Sequence, residues 1–250
     1  MSRSDMPWRW YEDYARGRPS YPSEVADTGG LPASATVLEI AAGTGQLTRL
    51  LVSRFARVVA VEPDANMRRL AVAGCPEAEV MAGSAEQIPL ADDSVDAVFV
   101  AQAFHWFDNE SALTEIARVL RAHGTLVVMW NVPTGPVVPS IAVVEKLLAP
   151  DWPNDFGFPL DMMRDDWRPG AWHLSVAQAM FDEVHEAHLP NPQIVDREGL
   201  VAFFGSMGWI ASLPGEHRLS LLHDVKAQLV ATEYVLPWET RVHWTQLVSM

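Results

Sequence analysis

Apolar positions follow two rhythms along this 250-residue chain. Continuous runs such as Ala97-Val98-Phe99-Val100-Ala101 and Leu126-Val127-Val128-Met129-Trp130 suit strands buried on both faces. Between such runs, apolar side chains recur every third or fourth position, the period of an amphipathic helix. The pattern predicts strands near 36–41, 57–62, 78–82, 95–101 and 124–130, with helices over 45–54, 64–73 and 109–121. Upstream, Trp10, Tyr11 and Tyr14 mark a short helix over 8–16. Pro19 and Pro22 then keep the residues before them out of helix, and a second short helix covers Ser23 to Asp27. Downstream, 182–188 and 232–242 alternate as strands, with helices over 197–207 and 215–230. Leu219, Leu222, Val225 and Leu229 form one stripe of the last helix and are predicted as core.

Strand–helix alternation of this kind implies a parallel sheet covered by helices on both faces. The expected fold is therefore α/β, a doubly wound, seven-stranded, mostly parallel sheet, with the two tail strands added antiparallel at one edge. Ligands in such sheets bind at the carboxyl ends of the strands, where the strand order reverses. The rhythm breaks from Asn131 to about Met180. Seven prolines from Pro133 to Pro169 punctuate that stretch, and it carries Trp152, Phe156, Phe158, Trp167 and Trp172. It reads as a helical cap inserted after the fifth strand, over an acceptor pocket, the alternative being a plain surface insertion. The expected organisation is one domain: N-terminal lid helices (1–30), a cofactor-binding core (31–131), the cap (132–180) and C-terminal strands and helices (181–250).

Chemistry enters at Val37-Leu38-Glu39-Ile40-Ala41-Ala42-Gly43-Thr44-Gly45-Gln46-Leu47-Thr48. An apolar strand bearing an acid runs into a small-residue loop that opens a helix. Gly43 and Gly45 permit a sharp turn and close backbone approach to a ligand, and a helix N-terminus offers unpaired N–H groups. The next strand, Arg57-Val58-Val59-Ala60-Val61-Glu62, ends in a carboxylate. In a doubly wound sheet, an acid there takes the hydroxyls of a nucleoside ribose. Dinucleotide enzymes share this arrangement, but their fingerprint wants a third small residue where Thr48 stands. A carboxylate at Glu39 would repel a pyrophosphate and tolerates an ammonium. Electrostatics favours a cationic adenosine-containing cofactor.

The segment resembles motif I of the class I S-adenosylmethionine-dependent methyltransferases. Three further blocks continue the likeness: Val61-Glu62-Pro63-Asp64-Ala65-Asn66-Met67, Gly83 to Leu90, and Ser94 to Phe107. The last is similar to the small-molecule subgroup labelled trans-aconitate-methyltransferase-like or ubiquinone/menaquinone-biosynthesis-like. The likeness covers most of residues 8–131 and continues more weakly through Asp196-Arg197-Glu198-Gly199-Leu200 to the C-terminus. Such families usually carry Gly where Ala41 stands. Ala fits if its φ stays negative, with altered packing rather than lost binding.

The resemblance implies S-adenosylmethionine as cofactor, S-adenosylhomocysteine as product, and a set of contacts. Gly43 and Gly45 allow backbone approach to the cofactor, Ala41 belongs to the same binding loop, Glu39 lies near the methionine amine, and Glu62 takes the ribose hydroxyls. Pro63 and Met67 flank the adenine, whose edge meets Ser84, Ala85 and Glu86. Gln102 and Ala103 run beneath the methionine part, while Tyr14 and Arg18 close the pocket, Arg18 as a partner for the cofactor carboxylate. Methyl transfer from a sulfonium is an in-line displacement in which the protein aligns the reacting atoms. His105 is the candidate catalytic base, since imidazole titrates near neutral pH; a packed structural histidine is the alternative. Trp106, Trp130, Trp172 and Trp209 are candidates to line an acceptor site, although core is the first reading of each one individually. A carboxylate acceptor would use Arg164, Arg168 and His173 of the cap; a phenolic one would use His105.

The net charge of −14 argues against nucleic-acid acceptors and anionic membrane surfaces. No apolar run approaches a membrane span, and the N-terminus lacks the apolar core of a signal peptide. Cys75 is the sole cysteine, predicted as a small half-buried loop residue, which fits a cytoplasmic location. His185 and His188 lie three apart in a strand and point to opposite faces, and no metal is expected. The rival readings are a non-catalytic cofactor-binding scaffold and a nicotinamide-dependent oxidoreductase.

Overall fold

The structure, a computed structural model, describes residues 8–107, 110–135 and 180–248. Most of the expected cap, with Arg164, Arg168, Trp172 and His173, lies outside them. The described residues form two compact units. One comprises 21–107, 110–131, 180–190 and 240–248; the other comprises 8–20, 132–135 and 191–239.

The first unit is built on a seven-stranded sheet. Its strands are β1 (Thr36–Ile40), β2 (Arg57–Val61), β3 (Glu79–Met81), β4 (Val95–Ala101), β5 (Leu120–Pro133), β6 (His185–Pro190) and β9 (Trp238–Gln246). They lie in the order β3-β2-β1-β4-β5-β9-β6. The pairs β2–β3, β1–β2, β1–β4 and β4–β5 are parallel. β9 runs against β5: Leu247 donates to the Gly124 carbonyl while Thr240 reaches Asn131, at opposite ends of β5. An antiparallel bridge, Phe181–Leu247, leads into β6. The order reverses between β1 and β4, so their carboxyl ends form the crevice where such sheets bind ligands.

One sheet face buries Val37, Phe99, Val127 and Met129 against Leu47, Leu51 and Phe55, with Phe55 and Phe99 rings 6.1 Å apart. Each such side chain contributes roughly 1.5–3 kcal/mol when fully buried. The helices are α2 (Thr48–Arg54), α3 (Ala65–Gly74) and α4 (Glu110–Val119). α2 starts later than its apolar pattern predicts, because residues 43–47 form turns rather than helix. Leu47 precedes it and offers no side-chain cap. α3 is capped by Asp64, whose carboxylate accepts from Asn66 N and Met67 N at 2.9 Å each.

The second unit packs α1 (Trp8–Gly17) on α5 (Arg197–Gly205), with α6 (Gly208–Ala211), α7 (Gly215–Gln228) and the antiparallel pair β7 (Gln193–Asp196) and β8 (Glu233–Leu236). α1 and α5 approach so closely that a Cβ on Gly17 would lie 2.2 Å from Phe203 N. The strand expected over 232–242 divides at Pro237, which has no N–H to give a ladder. Its first half pairs with β7, which the sequence did not reveal, and its second half becomes β9. The predicted stripe on α7 also shifts. Leu222, Val225 and Leu229 are buried, but Leu219 is 62% exposed, and Arg218 takes the buried position. Asp13 makes that possible by accepting from the Arg218 guanidinium at 2.6 Å.

Candidate active site

The register sets the site. Ile40 pairs with Val61 on one side and Val100 on the other, so the residues that follow each strand emerge side by side. Ala41, Gly43 and Gly45 follow β1, Glu62 follows β2, and Gln102 follows β4. Four of these have positive φ: Ala41 at 56°, Gly43 at 60°, Gly45 at 83° and Gln102 at 56°. The expectation of negative φ at Ala41 is therefore corrected: Ala41 sits in the left-handed region, at a cost of about 1–2 kcal/mol. Two strained non-glycine residues at neighbouring strand tips fit the tendency of strain to gather at ligand sites.

The two loop glycines play different parts. A Cβ on Gly43 would meet nothing within 4 Å, so its surface faces open space. On Gly45 it would lie 2.9 Å from Cys75 Sγ and 3.3 Å from Ala71 Cα, so Gly45 lets the loop pack on α3. Cys75 is fully buried, deeper than expected, with its thiol 3.6 Å from the Gly45 carbonyl.

Both acids are buried. Glu39 is 2% exposed, and its carboxyl accepts from Thr48 Oγ1 at 2.5 Å. Burial pushes the Glu39 carboxyl up to about 8; the Thr48 hydrogen bond opposes this and nearby Glu62 adds to it. Glu62 accepts from Gly43 N at 2.7 Å through Oε2 and from Asp64 N at 2.8 Å through Oε1.

Around these, Met67 is buried at the start of α3 while Pro63 is exposed. Ser84, Ala85 and Glu86 form a tight turn closed by paired Ser84–Gln87 backbone bonds, with Ala85 buried and Glu86 exposed. Gln102 donates its N–H to the Met129 carbonyl at 2.9 Å and its Nε2 to the Asn131 carbonyl at 3.1 Å. Ala103 is buried and leads into a single 3-10 turn, Phe104–Trp106. There Phe104 is buried against Phe107, whereas His105 and Trp106 face outward, their rings 5.1 Å apart. Trp106 is 65% exposed, but Trp130 is buried in β5.

Tyr14 and Arg18 belong to the helical unit. Arg18 donates to Ser206 Oγ at 2.8 Å and the Ser206 carbonyl at 3.2 Å, and its guanidinium lies over the Tyr14 and Phe203 rings. Trp209 packs in the same unit's core. His185 stacks on Trp244, and His188 contacts Glu186 at 2.6 Å. Among the described residues, no three metal-ligating side chains converge, and no helix is long and apolar enough to cross a membrane.

Thr48, Asp64, Asn131 and Thr240 enter this geometry without having been singled out. Asp64 carried a readable signal, an acid just before a helical pattern. The other three become relevant only through their tertiary partners.

Comparison with known proteins agrees with this geometry. The methyltransferase domain family matches residues 38–128. Uncharacterized methyltransferases of Mycobacterium bovis and Mycobacterium tuberculosis are 53% identical over 119 residues, 47% of this chain and 49% of theirs. The chain thus spans about half the length of these mycobacterial relatives in the alignment. An uncharacterized methyltransferase of Schizosaccharomyces pombe is 35% identical over 213 residues, 82% of this chain and 80% of the relative. A solved structure from Anaeromyxobacter dehalogenans, provisionally assigned as a type II methyltransferase, superposes with a TM-score of 0.66 at 22% identity, covering 93% of this chain and 99% of that one. That likeness bears on the fold. The fold, the strand-tip geometry and the extended relationship to the fission-yeast protein together place this chain in the class I S-adenosylmethionine-dependent methyltransferase family.

Proposed function

We propose that the protein transfers a methyl group from S-adenosylmethionine to an oxygen of a small-molecule acceptor, a carboxylate or a phenol. The observation that carries this reading is the pairing of two buried carboxyls at adjacent strand tips with a glycine whose Cβ position faces open space. The donor set suits the cofactor. The Glu62 carboxylate, an acceptor of hydrogen bonds, suits ribose hydroxyls, and Glu39 and the Gln102 carbonyls suit an ammonium. The Ser84–Glu86 turn and Met67 suit an adenine, and Gly43 admits close approach.

Bound there, S-adenosylmethionine supplies an electrophilic methyl on a positively charged sulfur. The chain's own residues must orient the acceptor and exclude water. His105 follows the β4 tip on an outward-facing turn, where its imidazole can take the proton of a phenolic acceptor. Trp106, exposed beside it, offers a flat apolar face to the same acceptor. A carboxylate acceptor needs no base, so its pH–rate profile would lack a histidine-like ionisation. The acidic surface and the small-residue loop support a diffusible acceptor rather than a nucleic acid.

Isothermal titration with S-adenosylmethionine and S-adenosylhomocysteine tests the cofactor assignment, with micromolar binding of either as the expected result. Absence of binding to both rejects it. Methyl transfer from labelled cofactor to a panel of carboxylates and phenols tests the acceptor class; cofactor binding with no turnover on any of them would indicate a scaffold.

A further inference from the structure

We propose that Asn131 and Thr240 are positioning residues for the methionine portion of the cofactor, acting through Gln102; this rests on the S-adenosylmethionine reading above. Gln102 holds a left-handed backbone that its side chain does not favour, and such strain persists only where the surroundings over-determine it. Two bonds do so here, from Gln102 N to the Met129 carbonyl and from Gln102 Nε2 to the Asn131 carbonyl. Asn131 is itself buried and tied across to β9, where the Thr240 hydroxyl donates to Asn131 Oδ1 at 2.5 Å.

The chain of contacts therefore runs from β9 through β5 to the tip of β4. Thr240 is completely buried, and a buried hydroxyl–amide pair carries a desolvation cost that an apolar pair would avoid. A fixed Asn131 gives that cost a use, since it fixes in turn the side chain of Gln102. With its main-chain N–H and one Nε2 hydrogen engaged on β5, Gln102 presents its main-chain and side-chain carbonyl oxygens as acceptors. Among the described residues, no donor meets either oxygen. Two carbonyl oxygens at the tip of β4, the strand paired with the one that carries Glu39, form a complementary set for N–H donors of an ammonium. The tail strand β9, remote in sequence from the glycine loop, thus takes part in cofactor recognition.

The test is a cycle of substitutions read by titration with S-adenosylhomocysteine, with thermal unfolding followed in parallel. Thr240→Val keeps the shape and removes the donor; it should weaken binding about 5- to 10-fold, the worth of one hydrogen bond. Thr240→Ser keeps the donor and should restore binding to within about twofold. Gln102→Ala should weaken binding at least as much as Thr240→Val. In the Gln102→Ala background, Thr240→Val should then cause no further loss. Wild-type affinity in Thr240→Val, or a loss that multiplies in full with that of Gln102→Ala, overturns the positioning role while leaving the cofactor reading intact. A wild-type chain that binds neither cofactor form overturns both.

Discussion

Glu62 holds Gly43: the carboxylate at the end of β2 accepts the loop N–H at 2.7 Å, while its other oxygen accepts Asp64 N–H at 2.8 Å. One side chain thereby ties the turn after β1 to the cap of α3. Glu62→Gln puts an amide NH2 where one of those donors needs an acceptor. A buried N–H left without a partner costs about 1–3 kcal/mol. The variant should melt several degrees lower and bind S-adenosylhomocysteine at least about tenfold more weakly, as calorimetry and titration can measure together.

Gly43 and Gly45 should separate binding from stability. Gly45→Ala drives a Cβ into Cys75 and Ala71 and demands φ of 83°, so a loss of about 2–4 kcal/mol in folding stability is expected. Gly43→Ala meets open space and should cost about 1–2 kcal/mol in stability. Its Cβ would occupy the space proposed for the cofactor, so its loss in affinity should exceed its loss in stability. Denaturant unfolding and titration of both variants give the comparison.

Ala41 carries strain that glycine would not. Ala41→Gly removes a left-handed penalty of about 1–2 kcal/mol and adds an unfolded-state entropy cost of about 0.5–1 kcal/mol. A net gain of several tenths of a kcal/mol, seen as a melting temperature about 1–3 °C higher, is the expected outcome. A lower melting temperature would contradict the strain at this position.

Glu39 makes stability depend on pH. Its carboxyl ordinarily titrates near 4.5, and burial lifts it to about 8 in the folded chain. Between those values the folded state holds a proton that the unfolded state lacks, so this group's contribution is full below about pH 4.5 and is lost as pH rises to 8. Glu39→Gln keeps an acceptor for Thr48 and removes the titration. Unfolding midpoints of the two proteins should therefore shift in favour of the glutamine variant between pH 5.5 and pH 8.5. A cationic ligand beside Glu39 favours its ionised form, so cofactor binding at pH 7 should release a proton, detectable as a buffer-dependent titration enthalpy.

His105→Ala should leave S-adenosylhomocysteine affinity unchanged and reduce turnover of a phenolic acceptor about 100-fold or more. Full turnover in that variant removes His105 from the chemistry.

Much of this was legible along the chain. Val37 to Ile40, Val58 to Val61 and Ala97 to Val100 are buried on both faces of a parallel sheet, and such strands announce themselves as continuous apolar runs. The glycine loop and the acids of β1 and β2 were legible because a ligand loop needs particular residue types in consecutive order. The errors fall where partners are distant. Leu219 and Arg218 exchange places because Asp13, more than two hundred residues away, neutralises a guanidinium in the interior. The strand ending at Pro237 divides because its halves have different neighbours.

By itself, then, the sequence determined the strand–helix alternation, the family and the residue types at the strand tips, since these follow from local periodicity and short-range spacing. Tertiary structure alone decided the sign of φ at Ala41, the burial that lifts Glu39, the capture of Gly43 by Glu62, and the link from Thr240 through Asn131 to Gln102. Those depend on which side chains register and desolvation bring together, and neither is encoded in any short stretch of the chain.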